Sequence, residues 1–222
     1  MATKIILGPP GTGKTEHLLR QVEKELANGT YPKRIGYFAY TVKAAKEALT
    51  RAIDRFEELD KKDFMYFRTL HSLAFKQLGL SKDDVLGDVH YKELSSLLGI
   101  KLSNTNRRMD SFGTGMQDDV FAHVIDMARA RNVSLRQQFQ EAGHLDCGWM
   151  KLKYIADGIS KYKKERNLYD FTDMIIEFVA RATLEDIVPD LDVLIIDEAQ
   201  DLLPVQWEMV KVLMKHSKRV FI

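Results

Sequence analysis

The sequence lacks the features that mark secreted and membrane proteins. It has one cysteine, Cys147, so an internal disulfide framework is excluded and a reducing compartment is indicated. It has no apolar run long enough to cross a membrane, and the short apolar run after Lys4 cannot form the core of a signal peptide. We therefore expect a cytoplasmic protein that makes no contact with membranes.

An excess of charge of either sign is also missing. Lysine and arginine number 33 against 32 aspartates and glutamates, which leaves a net charge of +1. A nucleic-acid surface would therefore have to come from local clustering of basic residues. With 45% hydrophobic and 29% charged residues, the 222-residue chain has an ordinary globular composition. It is long enough for one large domain, or for one domain that carries an inserted subdomain.

A glycine-rich loop near the N-terminus is the strongest chemical signal in the chain. It lies between an apolar run that ends at Leu7 and a helical pattern over 16–28, and it reads Gly8-Pro9-Pro10-Gly11-Thr12-Gly13-Lys14-Thr15. A strand, such a loop and a helix form a phosphate-binding P-loop, in which backbone N–H groups and the helix N-terminus surround the phosphates. Lys14 can then reach the β- and γ-phosphates of a nucleotide, and the Thr15 hydroxyl can ligate Mg²⁺. The alternative is a glycine-rich turn with an incidental lysine.

The order of elements in the first third of the chain predicts an α/β fold. Apolar strands are indicated at 35–39 and 64–67, and helical patterns begin near Thr41 and Thr69. Together with the strand before the glycine-rich loop, this is a β-α-β-α-β order. Such an order builds a parallel sheet with crossover helices.

The middle of the chain has a different character. Only helical patterns appear over 80–166, whereas a helix at 172–181 and a buried strand at 193–196 resume the α/β pattern. We therefore predict a core formed by 1–79 and 167–222, separated by an all-helical insertion at 80–166. Because the last residues read as a strand that has just begun, we expect this chain to be the N-terminal part of a longer protein.

Two acidic residues follow the last buried strand directly. Asp197 and Glu198 stand immediately after Ile196. Ligands of open α/β sheets bind at the carboxyl ends of the strands. In a chain with a P-loop, Asp197 is therefore expected to hold Mg²⁺, and Glu198 is placed to act as a general base toward an attacking water. The alternative is a polar strand end with solvated carboxylates.

Five motifs, in the same order, resemble those of the UvrD/Rep-like superfamily 1 DNA helicases. Besides the P-loop they are Ala39–Ala45, Phe67–Ser72, Tyr169–Met174 and Asp197–Asp201, which resemble the TFTNKAA, TFHS, DFDDL and DEAQD segments of that family. The resemblance implies a P-loop NTPase with a RecA-like core, namely the N-terminal motor lobe, and it makes the middle helices the family's inserted subdomain. It implies ATP and Mg²⁺ as cofactors and single-stranded DNA as a partner.

The resemblance also assigns DNA contacts to individual residues. Tyr40 matches a position that faces single-stranded DNA, where an aromatic ring can stack on any base; a half-buried tyrosine at a strand end is the alternative. Thr41 and Lys43 would contact backbone phosphates, unless Lys43 is an ordinary solvated lysine. Thr69 and His71 match a segment along the DNA path, although a lone histidine is often only a satisfied structural group.

Gln200 completes the catalytic set that the resemblance implies. It would link the γ-phosphate to the DNA-contacting elements, and it joins Lys14 and Glu198 in that set. Asp170 and Asp173 are interpreted as mainly structural, because a helix begins at this point of the sequence.

A basic run near the end of the insertion is the candidate surface for duplex DNA. Its members are Lys161, Lys163, Lys164 and Arg166. Neutralisation of phosphates by such a run would contribute to DNA affinity. The usual alternative is a solvated face of a helix.

The expected activity has two levels. The parent protein would couple ATP hydrolysis to translocation on single-stranded DNA and to duplex unwinding. The chain alone would bind nucleotide and DNA weakly and turn over poorly, because a second RecA-like lobe, in the parent or in a partner chain, would supply arginines that complete hydrolysis. Val42 stands where the family has asparagine, which removes one polar contact. Two alternatives stay open: a non-motor, nucleotide-gated module that binds DNA or protein, and a small P-loop phosphotransferase.

Overall fold

The computed structural model describes residues 2–9, 11–56, 58–102, 120–143 and 148–222. Pro10 of the predicted P-loop and Cys147 lie outside these residues. Contacts divide the chain into an α/β unit and a helical unit. The α/β unit is Met1–Leu78, Phe178–Leu202 and Gln206–Ile222, and the helical unit is Gly79–Glu177 and Leu203–Val205. The domain boundaries drawn from the sequence, at 80 and 167, stay predictions.

The α/β unit is built on a five-stranded sheet in which every pairing is parallel. Its strands are β1 (Ala2–Lys4), β2 (Ile35–Phe38), β3 (Phe67–Arg68), β4 (Leu191–Ile196) and β5 (Ser217–Phe221). They lie in the order β1-β5-β4-β2-β3. The α/β class and the parallel sheet predicted from the sequence are therefore confirmed.

Helices account for most of the remaining described residues. They are α1 (Lys14–Ala27), α2 (Val42–Arg55), α3 (Leu70–Gln77), α4 (Asp88–Leu98), α5 (Val120–Ala130), α6 (Leu135–Glu141), α7 (Trp149–Arg166), α8 (Phe171–Arg181) and α9 (Pro204–Lys215). Among the described residues, none of these helices combines the length and the hydropathy that crossing a membrane requires.

One part of the core of the α/β unit lies between the central strands and the helices α1 and α2. The strands β2 and β4 contribute completely buried side chains, among them Ile35 and Ile195. Leu18 and Leu19 of α1 and Ala48 of α2 pack in the same cluster. The near-continuous apolar runs of β2 and β4 are typical of parallel strands that are covered on both faces.

The helical unit has its own core. Its described elements include a 3₁₀ helix at Lys82–Asp84, the helices α4 to α7 and the first part of α8, and one isolated parallel bridge joins Val85 to Tyr169. Leu94 of α4, Ile125 of α5 and Leu152 of α7 are buried in one cluster. The helical character predicted for this part of the chain is confirmed for the described residues.

Two strands differ from their predicted bounds. The apolar residues after Lys4 were expected in the first strand, but β1 ends at Lys4, and Ile5 and Leu7 are 64% and 90% exposed. Phe64 is buried as a strand residue would be, yet it stands in a turn, and only Phe67–Arg68 pairs with β2. At Phe64 burial occurs without strand pairing, two properties that the sequence pattern cannot separate, whereas Ile5 and Leu7 are neither buried nor part of a strand.

Candidate nucleotide site

The register of the sheet brings the predicted nucleotide-site residues to one edge. One row crosses all five strands: Lys4 pairs with Phe221, Phe221 with Ile195, Ile195 with Tyr37, and Tyr37 with Phe67. All strands run in the same direction, so the residues that follow this row lie at the carboxyl edge, where ligands of such sheets bind. The glycine-rich loop, the acidic segment after β4, and the segments after β2 and β3 all begin there.

The glycine-rich loop has the backbone of an anion cradle. Gly11 and Gly13 have φ values of 79° and 81°, in the left-handed region that favours glycine. A Cβ on Gly8 would lie 2.7 Å from the Thr12 hydroxyl oxygen, so a side chain there would force Thr12 to move. Gly13 is the N-cap of α1, and no side chain among the described residues caps this helix. The first N–H groups of α1 are therefore suited to a phosphate group.

Lys14 lies in the loop with its charge already directed inward. Its Nζ donates to the Gly8 carbonyl oxygen at 3.0 Å and lies 3.9 Å from Glu198 Oε2. The side chain of Lys14 is only 18% exposed. A phosphate bound in the loop would therefore meet an ammonium group that is held beside it.

Asp197 is the most buried charged group of this edge. It is 3% exposed, and its Oδ2 accepts hydrogen bonds from the Thr15 hydroxyl at 3.1 Å and from the Tyr37 hydroxyl at 2.7 Å. Its Oδ1 is buried without a hydrogen-bond partner among the described residues. An unpaired buried carboxylate oxygen is costly. A water molecule bound to Mg²⁺ would satisfy it, so these residues fit the metal.

The donor set also fits a magnesium ion that is shared with a nucleotide. Among the described residues, no group of three or more His, Cys, Asp or Glu side chains could hold a metal ion by itself. Mg²⁺ in phosphotransfer sites is typically bound through one or two protein groups together with the phosphates. Thr15 and Asp197 are the two protein groups available for that arrangement.

Tyr37 was not predicted as a site residue. Burial, together with the neighbouring Asp197 carboxylate, raises the pKa of the Tyr37 phenol well above its usual value, so the phenol stays protonated and donates. The sequence signal for it is weak, a single hydroxyl in an apolar strand, and only the pairing of β2 with β4 places it beside the end of β4.

Glu198 and Gln200 lie next to Lys14. Glu198 has a φ of 54°, an uncommon value for a residue other than glycine, and such strain is frequent at functional sites. Gln200, in a 3₁₀ turn at Ala199–Asp201, donates through Nε2 to Glu198 Oε2 at 2.5 Å. The carboxylate of Glu198 is therefore held between an amide and an ammonium group.

The residues predicted to contact DNA follow two neighbouring strands. Tyr40, Thr41 and Lys43 come after β2, and Thr69 and His71 come after β3, which pairs with β2. The hydroxyl oxygen of Thr41 accepts from the Ala44 N–H at 3.1 Å, and that of Thr69 from the Ser72 N–H at 3.2 Å, so both threonines cap helices. Tyr40 and His71 are half-buried and Lys43 is exposed.

Asp170 and Asp173 belong to an ion cluster inside the helical unit, which agrees with their interpretation as structural residues. Lys163 Nζ lies 2.5 Å from Asp170 Oδ2 and 2.6 Å from Asp173 Oδ2, and Arg129 binds both carboxylates. Burial alone would raise the pKa of Asp170, but Arg129 and Lys163 outweigh it and hold the pKa well below its usual value. The hypothesis that Lys163 belongs to a DNA surface is wrong, because Lys163 is 8% exposed and both carboxylates face it.

The comparison with known families decides the family. The model of the UvrD/REP helicase N-terminal domain matches residues 2–222. The chain belongs to this family. The resemblance inferred from the five motifs is therefore confirmed, and the α/β unit is the RecA-like lobe of a superfamily 1 helicase motor domain. None of the curated proteins compared with the chain matches it significantly.

Proposed function

We propose that this UvrD/REP-family domain binds Mg²⁺·ATP at the carboxyl edge of its sheet and, in its parent protein, couples ATP hydrolysis to movement along single-stranded DNA and to duplex unwinding. The observation that carries the proposal is the carboxylate of Asp197, which accepts from Thr15 through Oδ2 and keeps Oδ1 buried without a partner among the described residues, while Lys14 lies 3.9 Å from the neighbouring Glu198. The fold alone would not support a function, whereas the residues of the nucleotide site do.

The nucleotide would bind through the loop and the start of α1. Its β-phosphate would accept from the N–H groups of 11–15, and Lys14 would exchange its hydrogen bond with the Gly8 carbonyl for one with the phosphates. Thr15 and Asp197 would hold Mg²⁺. When bound, the ion neutralises charge that develops on the phosphates.

Hydrolysis would use Glu198 and Gln200. Glu198 follows the metal-binding residue directly and is 39% exposed, so water can reach its carboxylate. It would accept the proton of the attacking water as general base. Gln200, which already donates to Glu198, would orient that carboxylate and contact the γ-phosphate.

Single-stranded DNA would cross the same edge of the sheet beside β2 and β3. Tyr40 would stack on a base, and Thr41, Lys43, Thr69 and His71 would contact the backbone. A family whose model is that of an N-terminal domain supports a second RecA-like lobe, in the parent or in a partner chain, as the source of the arginines that complete hydrolysis.

The test is nucleotide binding and ATP turnover by this chain, with and without single-stranded DNA. Lys14→Ala is the inactivating variant, and Lys24→Ala, an exposed lysine on the same helix, is its matched control. We expect Mg²⁺-dependent nucleotide binding that Lys14→Ala abolishes and Lys24→Ala preserves, with little turnover. Failure of the wild-type chain to bind nucleotide would refute the proposal. The non-motor module would be favoured instead if nucleotide binding changes the DNA affinity of the chain in a complex with a second lobe, and if that complex still does not hydrolyse ATP.

A further inference from the structure

The phenol of Tyr37 is an unassigned part of the nucleotide site. Tyr37 is completely buried in β2, and its hydroxyl donates to Asp197 Oδ2 at 2.7 Å. Its ring stacks on Phe67 of β3, with the ring centroids 5.1 Å apart and the planes inclined by 19°. The strand and the stacked ring both restrict the side chain, so the direction in which the hydroxyl donates is fixed by the fold.

Two hydroxyl groups donate to the same oxygen of Asp197, and they differ in what else they can do. The Thr15 hydroxyl, at 3.1 Å, stands at the start of α1, where the metal would need it as a ligand. The Tyr37 hydroxyl, at the shorter distance, lies inside the sheet and faces the carboxylate alone among the described contacts. Tyr37 is thus the partner that can keep Oδ2 in place before and after a metal binds.

We infer that Tyr37 is a positioning residue of the Mg²⁺ site: its phenol fixes the Asp197 carboxylate through Oδ2 and so reserves Oδ1 for the metal and its water shell. The inference rests on the proposed function, because it assumes that Asp197 serves a metal. Groups that orient a metal-binding side chain in this way typically change metal affinity by about 10–100-fold when they are removed.

A purely structural role makes a different prediction. A buried hydroxyl that merely satisfies a buried carboxylate would change the stability of the fold when it is removed, but not the contribution of Mg²⁺ to nucleotide binding. Tyr162 provides the matched control, because it is also a buried residue whose hydroxyl donates to a carboxylate, that of the more exposed Glu93 at 2.5 Å, in the helical unit. Both Tyr→Phe replacements remove one phenol–carboxylate hydrogen bond and leave the ring.

The experiment measures the Kd of a fluorescent ATP derivative, mant-ATP, in Mg²⁺ and in EDTA, and takes their ratio as the Mg²⁺ factor. Thermal unfolding of each variant is measured beside it. For Tyr37→Phe we expect an unchanged Kd in EDTA and a Mg²⁺ factor reduced about tenfold. For Tyr162→Phe we expect lower thermal stability with both values unchanged.

Each outcome of this experiment either supports or overturns the inference. If wild type shows a Mg²⁺ factor and Tyr37→Phe shows the same one, the inference is wrong while the proposed function stands. If wild type binds no mant-ATP, the proposed function fails and the inference falls with it. If Tyr37→Phe does not fold, Phe67→Leu takes its place, since it keeps the hydroxyl but removes the ring that holds it. A reduced Mg²⁺ factor then supports the inference, and an unchanged one overturns it.

Discussion

Replacing Lys163 by methionine should destabilise the helical unit far more than replacing its neighbour Lys161. Lys163 lies in α7 with its ammonium group between Asp170 and Asp173, at 2.5 and 2.6 Å. Methionine keeps an unbranched apolar side chain in the same space and removes only the charge and its hydrogen bonds. Arg129 would then be the remaining cation of the cluster, facing both carboxylates.

The magnitude follows from burial. The side chains of Lys163 and Asp170 are 10% and 5% exposed, so water cannot replace the lost ammonium group. Breaking a buried ion pair from one side costs about 3–5 kcal/mol, because the remaining charge is left buried. Lys161 is 76% exposed and lies 3.8 Å from Glu165, a surface pair of the i,i+4 kind. Its replacement by methionine should cost less than about 0.5 kcal/mol.

The assay is urea unfolding followed by the fluorescence of Trp149, which packs against the core of the helical unit. A Trp207→Phe background removes the other tryptophan of the chain, so that the signal reports on this unit. Equal unfolding midpoints for Lys163→Met and Lys161→Met would refute the reasoning. DNA binding by the two variants provides a second check: if Lys163→Met alone weakened duplex binding at equal stability, Lys163 would be a surface residue after all.

Four further predictions concern other residues. Asp170→Asn should make stability depend less on pH in the acid range. Arg129 and Lys163 lower the pKa of Asp170 from 3.8 against the effect of burial, so its contribution to stability is present above that value and is lost as the pH falls below it. Urea midpoints measured across the acid range would reveal the difference. Asp197→Asn should abolish the Mg²⁺ factor yet raise the metal-free unfolding free energy by about 1 kcal/mol, because a buried charge is removed whose Oδ1 has no partner among the described residues. A lower thermal midpoint would contradict this. Tyr40→Ala should weaken binding of single-stranded oligonucleotides by about 1–3 kcal/mol, while Tyr40→Phe should have little effect. Fluorescence anisotropy measures both, and equal affinities of wild type and Tyr40→Ala would exclude stacking. Thr69→Ala should cost about 1 kcal/mol of stability through loss of the cap of α3, and Thr69→Ser should restore it.

The parts of the site that could be predicted are those in which chemistry is local in sequence. The glycine-rich loop needs glycines at left-handed positions, and Gly11 and Gly13 occupy them. The caps at Thr41 and Thr69 depend only on a residue and the N–H group three positions later. The prediction of the acidic pair after β4 requires only that the end of one buried strand is recognised. Each of these signals is complete within about ten residues, so no knowledge of the tertiary structure is required.

The parts that could not be predicted depend on contacts between distant segments. Tyr37 meets Asp197 across 160 positions, and that contact exists only because β2 and β4 pair in one particular register. Lys163 appears in the sequence as one of several basic residues on a helix, and only the fold shows that Arg129 and two carboxylates surround it. The bounds of β3 depend on which residues find a partner in β2, and a buried aromatic residue such as Phe64 gives the same pattern in a turn as in a strand.

The charge balance of the nucleotide site explains why binding should depend on both the metal and the phosphates. Lys14 is satisfied by the Gly8 carbonyl and attracted by Glu198, so a phosphate gains only the difference between these contacts and its own. Asp197, in contrast, keeps one buried oxygen that no described residue satisfies, and the phosphates of a nucleotide without a metal would add negative charge beside it. If Asp197 holds Mg²⁺, the charge of the ion would offset this repulsion. A large part of the binding free energy is therefore expected from the ion, so the orientation of Asp197, and with it the hydroxyl of Tyr37, should influence nucleotide affinity.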